Sequence, residues 1–223
     1  MEKDIKEFIV EEAEVTDVFC FQEVYTEARK MFENILTGWN AAYAHKKLST
    51  HADFPLATYV KKDMRLISSE TILGDVSGVG LGLYTEIEGK RGTVNICNFY
   101  GIAYPVRDGK CDEKLDNPER TLQSKTLIDF FCSLRGPKVI GGDFNLMPDI
   151  ESIRVFSKNE YVDLIKEWNI QTTRNRLSWE MYPGHKQNYS DYVFVSSDVH
   201  TKNFAVPQNE VSDHLPMILD IAD

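Results

Sequence analysis

Short apolar runs alternate along the chain with longer stretches in which hydrophobic residues recur at the spacing of one helical face. Ile5, Phe8, Ile9 and Ala13 predict an opening helix, followed by a strand from Val18. Thr26 to Leu36 again has helical spacing. Ala57-Thr58-Tyr59-Val60-Lys61 and Met64-Arg65-Leu66-Ile67 predict a strand and its continuation past a short turn. Val79 to Thr85 and Gly92 to Tyr100 predict a hairpin across Glu88-Gly89-Lys90. Asn117 to Leu134 predicts a helix with Pro118 in its first turn, and Tyr161 to Trp168 another. The sum is an α/β layered domain with several antiparallel strands. No repeat, composition shift or Gly/Ser/Pro-rich linker divides it, so residues 1–223 read as one domain.

At 223 residues and 42% hydrophobic content, the chain can bury a sizeable core. It has no apolar run long enough to span a bilayer, and Met1-Glu2-Lys3-Asp4 is not a signal peptide. A soluble, cytoplasmic protein without membrane insertion is therefore expected. Cys20 and Cys97 fall in apolar strands, Cys132 in a helical pattern and Cys111 in a polar loop; with no metal-type spacing they read as free thiols. A net charge of -10 and a pI near 5.0 weigh against a nonspecific duplex nuclease, which offers phosphates a basic face. Arg29-Lys30, Lys46-Lys47, Lys61-Lys62 with Arg65, Lys90-Arg91, and Arg174 with Arg176 either form a local basic stripe or are ordinary solvated charges.

The candidate chemistry sits at strand ends. Val139-Ile140-Gly141-Gly142-Asp143-Phe144-Asn145 carries an apolar strand into two glycines and then presents an acid and an amide two residues apart. Alternate residues of an extended chain share a face, which suits an acid/base carboxylate beside an amide that holds an oxyanion or a water. An ordinary turn uses the same residue types. Three further segments shift the balance. Ser212-Asp213-His214-Leu215-Pro216 sets an acid beside an imidazole, Asp191-Tyr192-Val193-Phe194 opens a strand with an acid, and Phe21-Gln22-Glu23-Val24 closes one with an acid.

Along the chain the blocks run Phe21-Gln22-Glu23-Val24, Asn98-Phe99-Tyr100, Gly142-Asp143-Phe144-Asn145, Asp191-Tyr192-Val193-Phe194 and Ser212-Asp213-His214-Leu215-Pro216, and in this order the chain resembles the endonuclease/exonuclease/phosphatase superfamily, in its exonuclease III and deoxyribonuclease I branches. The resemblance runs from Met1 to Asp223. It implies two packed mixed β-sheets flanked by helices, a four-layer sandwich, and a metal-dependent phosphoesterase. Glu23 then is the retained ligand of Mg²⁺ or Mn²⁺, with Asp213 contributing directly or through water, since the available ligands are oxygens. Asp143 orients or deprotonates the attacking water and Asn145 holds the phosphate. His214 donates to a phosphate oxygen or moves a proton, held in its tautomer by Asp191. Tyr100 stabilises the phosphate or protonates the leaving oxygen, and Asn98 lies with the substrate.

Two departures from the family pattern stand out. Relatives usually begin with a strand carrying a metal-site Asn, whereas this chain opens on its helix; either the start is late or part of the metal site is lost. Ser190 also precedes Asp191 where relatives usually have an apolar residue. Arg174, Arg176, Ser178, Trp179 and His185 fall where relatives build substrate selectivity, so Trp179 is a candidate to stack a base and the arginines to meet phosphates. The leading substrate class is nucleic acid, DNA or RNA. The alternatives are a small-molecule or lipid head-group phosphodiesterase or phosphomonoesterase, and a catalytically weak or inactive binding protein.

Overall fold

The structure, a computed structural model, describes residues 2–47, 53–76, 78–89, 92–103, 113–184 and 186–222. The N-terminal half runs α1 (Glu2–Glu12), β1 (Val18–Gln22), α2 (Thr26–Ile35), β2 (Asn40–Lys47), β3 (Asp53–Val60), β4 (Arg65–Ile72), β5 (Leu81–Gly89) and β6 (Gly92–Tyr100). The C-terminal half runs α3 (Pro118–Cys132), β7 (Lys138–Asp143), α4 (Glu151–Lys158), β8 (Tyr161–Asp163), α5 (Leu164–Glu167), α6 (Arg176–Met181), β9 (Asp191–Ser196), β10 (Thr201–Ala205) and β11 (Ile218–Ile221).

The strands form a six-stranded sheet in the order β4-β5-β6-β7-β9-β8, a three-stranded sheet β1-β3-β2, and the pair β10-β11. In the large sheet only β6 and β7 pair in parallel, and α3 makes the crossover between them. That helix starts where the sequence places it: Asn117 caps it by accepting from Arg120 N at 2.8 Å, and Pro118 follows in the first turn.

Helices and sheets stack in four layers. Ile9 of α1 and Phe32 of α2 cover Ala57 and Tyr59 on the outer face of the small sheet. Val18 and Cys20 on β1 and Val60 on β3 meet Ile87, Ile96 and Val139 of the large sheet. On that sheet's far side Leu127 and Phe131 of α3 and Phe156 of α4 pack against Cys97, Ile140 and Phe194. Phe144, fully buried among Phe99, Phe156, Tyr192 and Phe194, lies at the centre of this last layer. Truncating such a ring to alanine costs about 3–5 kcal/mol.

Two buried polar side chains tie the layers together. Asn98 on β6 reaches across to the small sheet, where its amide donates to Phe21 O and Ala57 O, each at 3.0 Å, and its oxygen accepts from Gln22 Nε2 at 2.6 Å. Lys46 on β2 points its ammonium into the carbonyls of Leu73 (2.7 Å), Val76, Val79 (3.1 Å) and Gly80 (3.3 Å). Burial lowers its pKa, against the opposing charge of Asp75.

The fold departs from the sequence expectations in places. Residues 57–61 and 64–67 belong to different sheets: the chain turns after β3 and enters β4 of the large sheet. The 161–168 segment is a short strand followed by one helical turn. Cys20, Cys97 and Cys132 are free thiols, and Cys111, Lys90, Arg91 and His185 lie outside the described residues. Several of the basic residues are engaged by other groups. Arg29 pairs with Glu33 and stacks on Tyr43, Arg65 faces Glu88, Arg174 pairs with Asp213, and Lys46 is enclosed.

Candidate active site

Strand register sets the first part of the site. Tyr100 at the end of β6 lies opposite Asp143 at the end of β7, which lies opposite Asp191 at the start of β9. The three side chains therefore form a row across neighbouring strands. The strands approach so closely that a Cβ at Gly142, whose φ is +141°, would stand 2.0 Å from Phe99 O. No other residue type fits there.

The chain leaves β7 sharply. Phe144 dives into the core while Asn145 takes a left-handed φ of 53°, which brings its side chain back onto Asp143. Asn145 N donates to Asp143 Oδ1 at 2.9 Å, and Asn145 Nδ2 donates to Asp143 Oδ2 at 3.0 Å and to Gly101 O at 3.1 Å. The amide expected to hold a phosphate thus holds the neighbouring acid. Asp143 Oδ1 also accepts from Ser190 Oγ at 2.5 Å. Burial would push the Asp143 carboxyl up, but the charges of His214, Lys114 and Arg174 and the Ser190 hydrogen bond outweigh it and hold the group below the usual carboxylate range.

His214 arrives from the loop before β11 and stands against this row. Its Nδ1 is 2.7 Å from Asp191 Oδ1, and its Nε2 is 3.8 Å from both Asp143 Oδ2 and Asp213 Oδ2. Burial alone would lower its pKa, yet the charges of Asp191 and Asp143 raise it to about 9. The ring is therefore an imidazolium at neutral pH, with Nδ1–H directed at Asp191 and Nε2 against Arg174 Nη1. Arg174 closes the set from a backbone bridge to His214. Its Nη1 touches the imidazole, its Nη2 donates to Asp213 Oδ2 at 3.0 Å, and its Nε donates to Ser178 Oγ at 3.0 Å. Two cations thus share three carboxylates.

Glu23 comes from the small sheet. It follows β1 with a left-handed φ of 57°, and its Oε1 accepts from Tyr100 Oη at 2.5 Å. Burial and the adjacent Glu23 charge raise the Tyr100 pKa, so the phenol keeps its proton. Tyr100 is the link between the two halves, because it also feels the charge of Asp143.

The donor set suits a hard cation. Glu23 and Asp213 offer carboxylate oxygens, and Asp191 Oδ2 is buried with no hydrogen-bond partner, an orphan that a cation or a water would satisfy. Asp143, Asp191 and His214 bring their ligand atoms within 4.8 Å of one another. Within that cluster Asp143 and Asp191 supply the oxygens that suit a hard cation; Glu23 and Asp213 are not part of it.

Three residues expected at the substrate have other partners in the structure. Asn98 is fully buried and engaged between the sheets. Arg176, at the start of α6, pairs with Glu180 (2.8 Å) and Glu210 (2.9 Å). Trp179 donates from Nε1 to Gln187 O at 2.9 Å, and Lys186 covers its ring at 3.9 Å. The sequence reading gave no role to Thr173, whose hydroxyl accepts from Ser190 N at 3.1 Å and Asp191 N at 3.3 Å, or to Lys114. No local signal marks either, since both reach the site through distant segments.

The sequence profile of the Endonuclease/Exonuclease/phosphatase family matches residues 3–214. No curated protein matches the sequence. Similar folds include an endonuclease/exonuclease/phosphatase from Bacteroides vulgatus (17% identity, TM-score 0.75, covering 99% of this chain and 89% of that one). The human Nocturnin catalytic domain with bound sulfate superposes with a TM-score of 0.66 (16% identity, 99% and 85% covered). A mannosyl-6-phosphatase from Bacteroides thetaiotaomicron superposes with a TM-score of 0.68 (15% identity, 100% and 90% covered). With the profile spanning nearly the whole chain and the strand-end acids in register, the protein belongs to the Endonuclease/Exonuclease/phosphatase family, whose members hydrolyse phosphoester bonds and generally use divalent metals.

Proposed function

We propose that the chain is a metal-dependent phosphodiesterase whose substrate is nucleic acid. The observation that carries this reading is the row Tyr100–Asp143–Asp191 closed by His214, whose Nε2 lies 3.8 Å from Asp143 Oδ2. Asp143 Oδ2 takes a proton from the attacking water. The new oxygen–phosphorus bond forms as the bond to the leaving oxygen breaks. The His214 imidazolium and the Arg174 guanidinium meet the charge that develops on the phosphate oxygens. The Tyr100 phenol, whose proton is directed at Glu23, would have to turn from that carboxylate to protonate the leaving oxygen or to stabilise the phosphate. Mg²⁺ or Mn²⁺, held by Glu23 and by Asp213 directly or through water, would neutralise phosphate charge.

A second reading, a phosphomonoesterase acting on a small phosphate ester, is favoured by the engagement of Arg176 with Glu180 and Glu210. Arg174, which lies against His214 and Asp213, then is the principal arginine for a single phosphate. The test compares a single-stranded oligonucleotide, bis(p-nitrophenyl) phosphate and a sugar phosphate, each with Mg²⁺, Mn²⁺ or excess chelator. Cleavage of the two diesters that stops in chelator supports the first reading. Hydrolysis of the sugar phosphate alone supports the second, and full activity in chelator removes the metal-dependent mechanism.

A further inference from the structure

Ser190 is the position at which the sequence departs from its family, and the structure gives the hydroxyl a partner on each side. Its Oγ is 2.5 Å from Asp143 Oδ1 and 2.9 Å from Lys114 Nζ. An ammonium only donates, so the serine oxygen accepts from Lys114 and its one proton is directed at Asp143. The order of donors is fixed: Lys114 to Ser190 to Asp143. Where relatives usually carry an apolar side chain, this protein threads a positive charge to the back of its proposed base.

The geometry points to Lys114 and Ser190 as positioning residues that assign different tasks to the two oxygens of Asp143. Oδ1 is held twice, by Ser190 Oγ and Asn145 N, while Oδ2, the oxygen facing His214, accepts from Asn145 Nδ2. Without the hydroxyl Oδ1 keeps one of its two hydrogen bonds, so the carboxylate is held less firmly and the base spends less time aligned with a water.

Both relay residues are built into rigid surroundings. Ser190 is fully buried, its carbonyl accepts from Phe144 N at 2.9 Å and Asn145 N at 3.1 Å, and its own N–H is held by Thr173. Lys114 sits on a backbone that is held at its own position and just after it. Its carbonyl accepts from Met147 N at 2.9 Å, and two residues on Asp116 caps α4 through Glu151 N at 2.6 Å and Ser152 N at 2.9 Å.

This inference rests on the reading of Asp143 as the base, and the test separates the two. Ser190→Ala, Lys114→Met, the double variant and Lys114→Arg are compared by kcat, KM and urea unfolding. Ser190→Ala should lower kcat about tenfold with KM within about twofold, and Lys114→Met should lower it less. The double variant should lose no more than Ser190→Ala, because the lysine acts through the serine. Lys114→Arg should recover most of the loss. In unfolding, the two single changes should likewise be non-additive. If coupling appears in unfolding while no phosphoester is turned over by the parent protein, the relay stands and the functional reading falls. Additive losses in unfolding, or unchanged kcat in folded Ser190→Ala, overturn the relay.

Discussion

The strand-end row and the α6 rim are both rich in side chains suited to phosphate chemistry, yet only the first assembles. Tyr100, Asp143 and Asp191 are fixed by backbone register, so their side chains meet whatever their own preferences. Arg176 and Trp179 sit on a six-residue helix at the surface, where nearby Glu180, Glu210 and Lys186 engage them first. Residue type alone did not separate the two regions; what separates them is whether the scaffold or the local surface chooses the partner.

The sharpest way to break the comparison is at its centre. Asp143→Asn and His214→Ala should each lower turnover by at least about a hundredfold while the protein stays folded by circular dichroism. Near-native turnover in either variant would remove that residue from the chemistry.

Glu23→Gln probes the half of the site that the small sheet supplies. The expected outcome is an apparent Mg²⁺ affinity at least about tenfold weaker, read by titrating the cation against activity. Unchanged affinity would place the cation elsewhere.

A pH series on metal-free protein reads the row by its stability. His214 is raised in the folded state, so its contribution is fully present below pH 6.5 and is lost as the pH rises through about 9. Asp143 is depressed, so its contribution is present above about pH 4 and is lost as the pH falls through its lowered value. Thermal melts should therefore peak between these limits and fall by several °C on each side. A melting temperature flat from pH 6 to 10 would contradict the imidazolium.

The smallest effects belong to the rim. Arg176→Ala should change stability by no more than about 0.5 kcal/mol and turnover by less than about threefold, because its ion pairs are exposed. A tenfold rise in KM for an oligonucleotide, but not for a small ester, would show that the arginine leaves its glutamates for the substrate.

Much of this was legible in the sequence for a physical reason. Apolar strands that end in acids announce where a sheet stops, and α3 and the β5–β6 hairpin follow from period and turn chemistry, while the grouping of Tyr100, Asp143 and Asp191 came from the family resemblance. The edge strand β4 was only half visible, since its exposed residues follow no alternation, and its place in the other sheet is a tertiary fact. Ser190 was visible as a departure, but its partners Asp143 and Lys114 lie 47 and 76 positions away. Asn98 shows the opposite error. Its place two residues before Tyr100 marks it for the substrate, and the two share a face, but Asn98 lies further in from the strand end, turned inward between the sheets.

That inward turn governs how the molecule can move. The site draws Glu23 from one sheet and Tyr100, Asp143 and Asp191 from the other, so any shear of the sheets would open it like misaligned jaws. Asn98 pins Phe21, Gln22 and Ala57 to β6 two residues from both Glu23 and Tyr100. The two plates can therefore breathe at their far ends while the jaw end keeps its spacing, and the side chain that makes this so never touches the substrate.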